Sequence, residues 1–135
     1  MQASTLTLTT TDGTGLFVNR WLPDGPAKAV VQIAHGLAEH SSRYARFAEE
    51  LTEHGYAVYA DDHRGHGQTS GPEGYFADGD GWGAVVDDLL ALTRHAKAEQ
   101  PGLPYFLFGH SMGSFLSRAY AARYGSELTG LVLSG

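Results

Sequence analysis

Three short segments of the 135-residue chain carry residue types that could make and break covalent bonds. The first is Gly109-His110-Ser111-Met112-Gly113, a G-x-S-x-G pattern that follows the apolar run Tyr105–Phe108 and opens a helical pattern. A serine in that setting sits on a strained strand-to-helix turn that holds its hydroxyl clear of a sheet, ready for attack on a carbonyl. Gly109 and Gly113 let the backbone pass close to its neighbours. The helix N-terminus adds positive potential and free N–H groups beside the hydroxyl. The plainer alternative is a glycine-rich turn with an incidental serine; the strand before and the helix after favour the nucleophile.

Acyl transfer also needs N–H donors aimed at the developing oxyanion, and removing one costs about 2.7–4 kcal/mol. One donor is expected from the N–H of Met112, directly after the serine. The other is expected from Leu37, in the second segment, His35-Gly36-Leu37-Ala38-Glu39-His40. Alone, this segment would read as a tight turn at Gly36 between polar loop histidines; with the serine elbow in the same chain, an oxyanion loop is preferred. The third segment is Asp61-Asp62-His63-Arg64-Gly65-His66-Gly67-Gln68-Thr69-Ser70-Gly71. Two carboxylates ahead of His-x-x-His suggest a metal, but the ligand spacing of established sites such as H-E-x-x-H is absent. A sharply turning loop needs the same glycines and hydrogen-bonding side chains, so this segment is read as structural, with no metal. Arg64 is expected to pair with Glu39.

These segments fall where a regular alternation of elements would place them. Residues 4–10 and 16–21, separated by Asp12-Gly13-Thr14-Gly15, read as an antiparallel hairpin. Ala29–Ala34 is an apolar run with one Gln, as in a strand buried on both faces. Ser41-Ser42 can cap a helix carrying Tyr44, Phe47, Ala48 and Leu51 at helical spacing, ended by Gly55. Ala57–Ala60 is the next strand, and residues 82–99 form a helix with Val85, Val86, Leu89 and Leu92 on one face. Tyr105–Phe108 is a third core strand, residues 111–124 a third helix, and Leu131–Leu133 begins a further strand. Repeated strand–helix–strand units predict an α/β fold, a mostly parallel sheet with helices on both faces. Such sheets bind ligands at the carboxyl ends of their strands, which is where all three segments lie.

Composition narrows the classes. Nine Lys+Arg against fifteen Asp+Glu give a net charge of −6, and no basic block is present, so nucleic acid is excluded as a partner. The absence of cysteine rules out disulfides, thiolate metal sites and a Cys nucleophile. The hydrophobic fraction of 42% is that of an ordinary globular protein. Eighteen glycines are nearly twice the usual ~7% and imply tight turns and close backbone approaches. No apolar stretch approaches the ~18 residues of a membrane span, and no secretory signal opens the chain. A cytoplasmic protein without an integral membrane segment is expected.

The serine elbow, the HGLAEH loop and the DDHRGHGQTSG loop, in this order, resemble the α/β-hydrolase fold and, more narrowly, its monoacylglycerol lipase/lysophospholipase branch. The resemblance runs from about Ser4 to Gly135. It implies Ser111 as nucleophile, an oxyanion hole from the N–H groups of Leu37 and Met112, and supporting roles for His35, Gly36, Gly109 and Gly113. His110 would occupy the variable position before the serine and would not be the base. The substrate would be a small-molecule or lipid ester, hydrolysed through an acyl-enzyme with no cofactor.

Chain order in this fold is Ser, then Asp or Glu, then His. All seven histidines precede Ser111, and Glu127 is the sole carboxylate side chain after it. The resemblance therefore implies that residues 1–135 are the N-terminal part of one α/β-hydrolase domain. The cap, the catalytic acid and the catalytic His would lie elsewhere, and activity would depend on them. The rival readings are an inert fragment or interaction module pairing through its edge strand, and another acyl hydrolase or peptidase of the same fold.

Overall fold

The structure, a computed structural model, describes residues 1–135. Six strands form one sheet: β1 (Gln2–Thr9), β2 (Gly15–Leu22), β3 (Ala29–Ala34), β4 (Tyr56–Asp61), β5 (Tyr105–His110) and β6 (Gly130–Ser134). Their order across the sheet is β1-β2-β4-β3-β5-β6. β1 and β2 form the antiparallel hairpin, and β2 joins β4 antiparallel. β4, β3, β5 and β6 run parallel, as the strand–helix alternation predicts. Helices α1 (Ala45–Glu53), α2 (Gly81–Glu99) and α3 (Met112–Tyr124) fill the crossovers.

Both faces of the central strand β3 are covered, which explains why it is buried at all six positions. On one face, Val85, Val86 and Leu89 of α2 pack with Leu116 and Tyr120 of α3 over Ala34 and Leu107. On the other, Ala48 of α1 packs over Val31, Ile33, Val58 and Ala60. β6 lies at the sheet edge with Leu131, Val132 and Leu133 exposed.

The polar residue inside β3 is hydrogen-bonded at both its amide nitrogen and its amide oxygen. Gln32 Nε2 donates to the Leu89 carbonyl at 3.1 Å, while its Oε1 accepts from Thr93 Oγ1 at 2.7 Å and Tyr105 Oη at 2.5 Å. One side chain thereby ties β3 to β5 and α2. Gln32→Leu leaves buried polar groups without their partner and is expected to cost about 2 kcal/mol. A urea titration should show a lower midpoint at unchanged slope.

The start of α1 differs from the predicted serine cap. Ser41–Tyr44 is a 3-10 turn and α1 begins at Ala45, with no side-chain cap. Ser41 is instead drawn inward by a carboxylate: its N–H and Oγ both donate to Asp62, at 2.7 and 2.6 Å, and Asn19 Nδ2 donates to its Oγ at 2.9 Å. Phe47, predicted on the apolar face, leans outward over the Phe108 ring with centroids 5.1 Å apart.

The register sets the site. Ala34 stands opposite Gly109 and Ile33 opposite Ala60, so β3, β4 and β5 end level with one another. The segments that follow them emerge side by side at one edge.

Candidate active site

Ser111 lies between β5 and α3 with φ 54° and ψ −120°. It is one of two non-glycine residues in the left-handed region, where a side chain is held only if the surroundings enforce it. Several contacts do so. The Ser111 N–H donates to the Ser134 carbonyl of β6 at 2.8 Å, and its own carbonyl accepts from Ser114 N at 2.8 Å and Ser114 Oγ at 2.6 Å. The glycines are placed as the sequence pattern requires. A Cβ on Gly113 would run into the carbonyls of Ala34 and His35, and one on Gly109 into the Gly113 carbonyl and Ser117 Oγ. The Ser111 side chain is exposed at this turn. The N–H of Met112 begins α3, where a helix has no internal acceptor to offer.

The loop after β3 packs directly against the elbow. A Cβ on Gly36 would stand 3.1 Å from Ser111 Cβ and 3.2 Å from the His110 carbonyl. Within this loop Ala38 is the second left-handed residue, with φ 60°. The Glu39 carboxylate folds back to accept from Gly36 N at 2.6 Å and from Tyr44 Oη at 2.7 Å. Burial pushes the Glu39 carboxyl up, but these two donors hold it below its usual range. With the Gly36 N–H engaged, Leu37 presents the next backbone donor on the loop; its side chain is 66% exposed.

The predicted Arg64–Glu39 pair does not form. Arg64 turns beneath the loop and holds Asp88 with two bonds, Nε to Oδ2 at 2.6 Å and Nη2 to Oδ1 at 2.8 Å, while Nη1 reaches Asp12 at 2.6 Å. The reason is the burial of Asp88, which pushes its pKa up to about 6 even with Arg64 beside it. A carboxylate set in that interior needs the guanidinium more than the half-exposed Glu39 does. The signal was legible: Asp88 shares a helical face with Val85, Leu89 and Leu92, where an unpaired charge would not be tolerated. Tyr44 as the partner of Glu39 has no comparable signature.

The histidines flanking the site are engaged elsewhere. His110 Nδ1 bonds with Ser134 Oγ at 2.9 Å. His35 is fully buried; its Nδ1 donates to the Gly36 carbonyl at 2.7 Å and its Nε2 accepts from His63 N at 3.0 Å. Burial, with His63 nearby, lowers the His35 pKa to about 4. An unfolded His, titrating near 6.5, therefore binds more protons than the folded one between about pH 6.5 and pH 4. Stability from His35 is complete above pH 6.5 and is lost as the pH falls toward 4. Thermal melts from pH 7 to pH 4.5 should show a shallower decline in His35→Gln than in the wild type.

Asp62 ties the third loop together by accepting from Ser41 and from Gln68 N at 2.8 Å. No group of three His, Asp or Glu side chains is placed to hold a metal ion. No helix is long and apolar enough to cross a membrane.

A mostly parallel sheet with helices on both faces, a strand–serine–helix elbow and a glycine loop packed against it define an α/β-hydrolase. Residues 25–135 match the family described as serine aminopeptidase, S33, and the chain belongs to that family of hydrolases. It is 40% identical over 123 residues to a monoacylglycerol lipase of Mycolicibacterium smegmatis, covering 91% of this chain and 43% of the relative. It is 38% identical over 126 residues to the monoglyceride lipase of Homo sapiens, covering 93% and 41%. Among solved structures, a thermostable carboxyl esterase from Bacillus coagulans in complex with glycerol superposes with a TM-score of 0.91 at 38% identity, over 98% of this chain and 44% of that one. The chain thus spans about two-fifths of the length of the relatives it matches.

Proposed function

We propose that the protein carrying this sequence is a serine ester hydrolase acting on monoacylglycerol-like substrates through an acyl-enzyme on Ser111. The observation that carries this reading is Ser111 itself, held left-handed at an exposed elbow with the Gly36 loop against its Cβ. Its Oγ would attack the ester carbonyl, and the N–H groups of Leu37 and Met112 would receive the oxyanion. The alcohol would leave with a proton from the general acid, and water would release the acyl group. A serine hydroxyl without a base is a poor nucleophile, and both ring nitrogens of His35 are engaged. We therefore assign the base and its orienting acid to sequence beyond these 135 residues, which would form the N-terminal part of one hydrolase domain.

A polar cleft of about 450 Å³ opens beside Leu37, lined by His40, His66, Glu39 and Glu73 and by no Lys or Arg. Carboxylates without a cation suit an uncharged polyol leaving group better than a phosphodiester. The name of the matched family keeps an aminopeptidase as the rival. Turnover of monooleoylglycerol, lysophosphatidylcholine and leucine p-nitroanilide by the native gene product separates the readings, with the monoacylglycerol expected to be fastest. Anilide turnover exceeding that of both esters would reject the proposal.

A further inference from the structure

Behind the loop that follows β3 lies a buried carboxylate with no part in the proposed acyl transfer. Asp61, at the end of β4, is fully buried and neither of its oxygens has a hydrogen-bond partner. The ring of His63, also fully buried, stands next to it, with Nδ1 3.7 Å from Asp61 Oδ2 and likewise unpartnered. His63 grips His35 at two points. Its backbone N–H donates to His35 Nε2 at 3.0 Å, and its own Nε2–H donates to the His35 carbonyl at 2.8 Å. The two rings overlap with centroids 3.8 Å apart. His35 passes the constraint on, since its Nδ1–H donates to the Gly36 carbonyl at 2.7 Å. The path from Asp61 through His63 and His35 thus ends at the peptide group that joins Gly36 to Leu37.

We infer that His63, backed by Asp61, is a positioning residue that fixes the peptide bearing the Leu37 N–H and so sets the oxyanion donor. The geometry requires a particular distribution of protons. His35 accepts at Nε2 and donates at Nδ1, so it must be neutral. His63 donates at Nε2 and faces a carboxylate at Nδ1, an arrangement that favours a proton on both nitrogens. Burial works against that imidazolium, but Asp61, the His35 carbonyl and Asp62 outweigh it, and the His63 pKa is raised. The groups facing this pair are the His35 ring against His63, the His66 ring edge-on to it at 6.2 Å, Asp62 alongside, and Asp88 of α2, itself paired with Arg64. The effect on catalysis rests on the hydrolase reading; the clamp is a property of the chain whatever it catalyses.

The test is an NMR titration of the native gene product from pH 5 to pH 9, following the His63 ring and the backbone amides of Gly36 and Leu37. The His63 midpoint should lie above the free-imidazole value of about 6.5, and both amides should move with it. In Asp61→Asn the His63 midpoint should fall, the amides should follow, and kcat for a monoacylglycerol should drop tenfold or more with KM within twofold. Asp61→Glu should restore part of the midpoint. Amides that ignore the His63 midpoint, or an Asp61→Asn midpoint equal to the wild type, would overturn the proposal. So would an altered midpoint with unchanged kcat. The wild-type titration decides the clamp even if the variant fails to fold. If the wild type turns over no ester while the amides still follow His63, the hydrolase reading fails and the clamp stands.

Discussion

Ser111→Ala in the native gene product is expected to lower kcat for ester hydrolysis by about 10⁴- to 10⁶-fold, with KM within about twofold. The size follows from the division of labour at such sites. A nucleophile removed from a serine–histidine system abolishes the covalent route and leaves the rate that binding and the oxyanion donors supply on their own. Substrate affinity should survive, because the cleft beside Leu37 and the Gly36 loop do not depend on the hydroxyl. The fold should survive as well. The hydrogen bonds that hold the elbow use the Ser111 backbone, namely its N–H on Ser134 and its carbonyl under Ser114, and alanine keeps both. Ser111→Gly separates strain from chemistry. With φ at 54°, a Cβ at this position is costly, so the glycine variant should be as inactive as the alanine variant yet about 1 kcal/mol more stable. Melting curves and single-turnover assays on the two variants check both statements. Alanine activity within tenfold of wild type would remove Ser111 from the mechanism.

The second large effect is expected at Gly113. A Cβ there would overlap the carbonyl groups of Ala34 and His35, which are backbone and have no rotamer to escape into. Gly113→Ala must therefore push α3 away from the end of β3, in a part of the core where Leu116 packs with Ala34. Overpacking of a close-packed interior costs about 1–3 kcal/mol, occasionally more. With only main chain to move, the expected loss is at the upper end, about 3 kcal/mol. The displacement also separates Met112 N from Leu37 N, the two donors assigned to one oxyanion, so residual folded enzyme should lose kcat by at least 10²-fold. Gly125, whose Cβ would meet nothing within 4 Å, is the matched control, and its alanine variant should stay close to wild type. Equal stability of Gly113→Ala and wild type in urea would show that the elbow is less tightly packed than described.

Much of this architecture could be read in advance because the physical signals are local. The Asp12–Gly15 turn between two β-rich runs announces a hairpin, and β1 and β2 pair across it. Val85, Val86, Leu89 and Leu92 declare the buried face of α2, and all four are inaccessible. The elbow was legible for the same reason, since a serine between glycines at a strand-to-helix junction has few structural uses. What remained hidden depends on contacts between residues far apart in the chain. Arg64 had one carboxylate neighbour that sequence distance conceals, Asp12 in the hairpin turn, and a second, Asp88, whose place on the apolar face of α2 signals the need for a cation without saying which. Ser41 looked like a helix cap, but its neighbour in space, Asp62, competes for the same N–H and hydroxyl. The left-handed turn at Ala38 could not be foreseen, because alanine does not advertise a positive φ as glycine does. The first two cases share one cause: a carboxylate chose its partners by position in space and solvation, which spacing along the chain does not encode.

Ser111 is proposed as the nucleophile of an acyl-transfer site. The most direct measurement is to expose the native gene product to a fluorophosphonate probe, determine the intact mass, and map the adduct by peptide sequencing. One adduct per chain on Ser111, formed in step with loss of ester hydrolysis and absent from Ser111→Ala, is the predicted result. Full inhibition with the adduct on another residue, or an active protein that resists the probe altogether, would contradict the account.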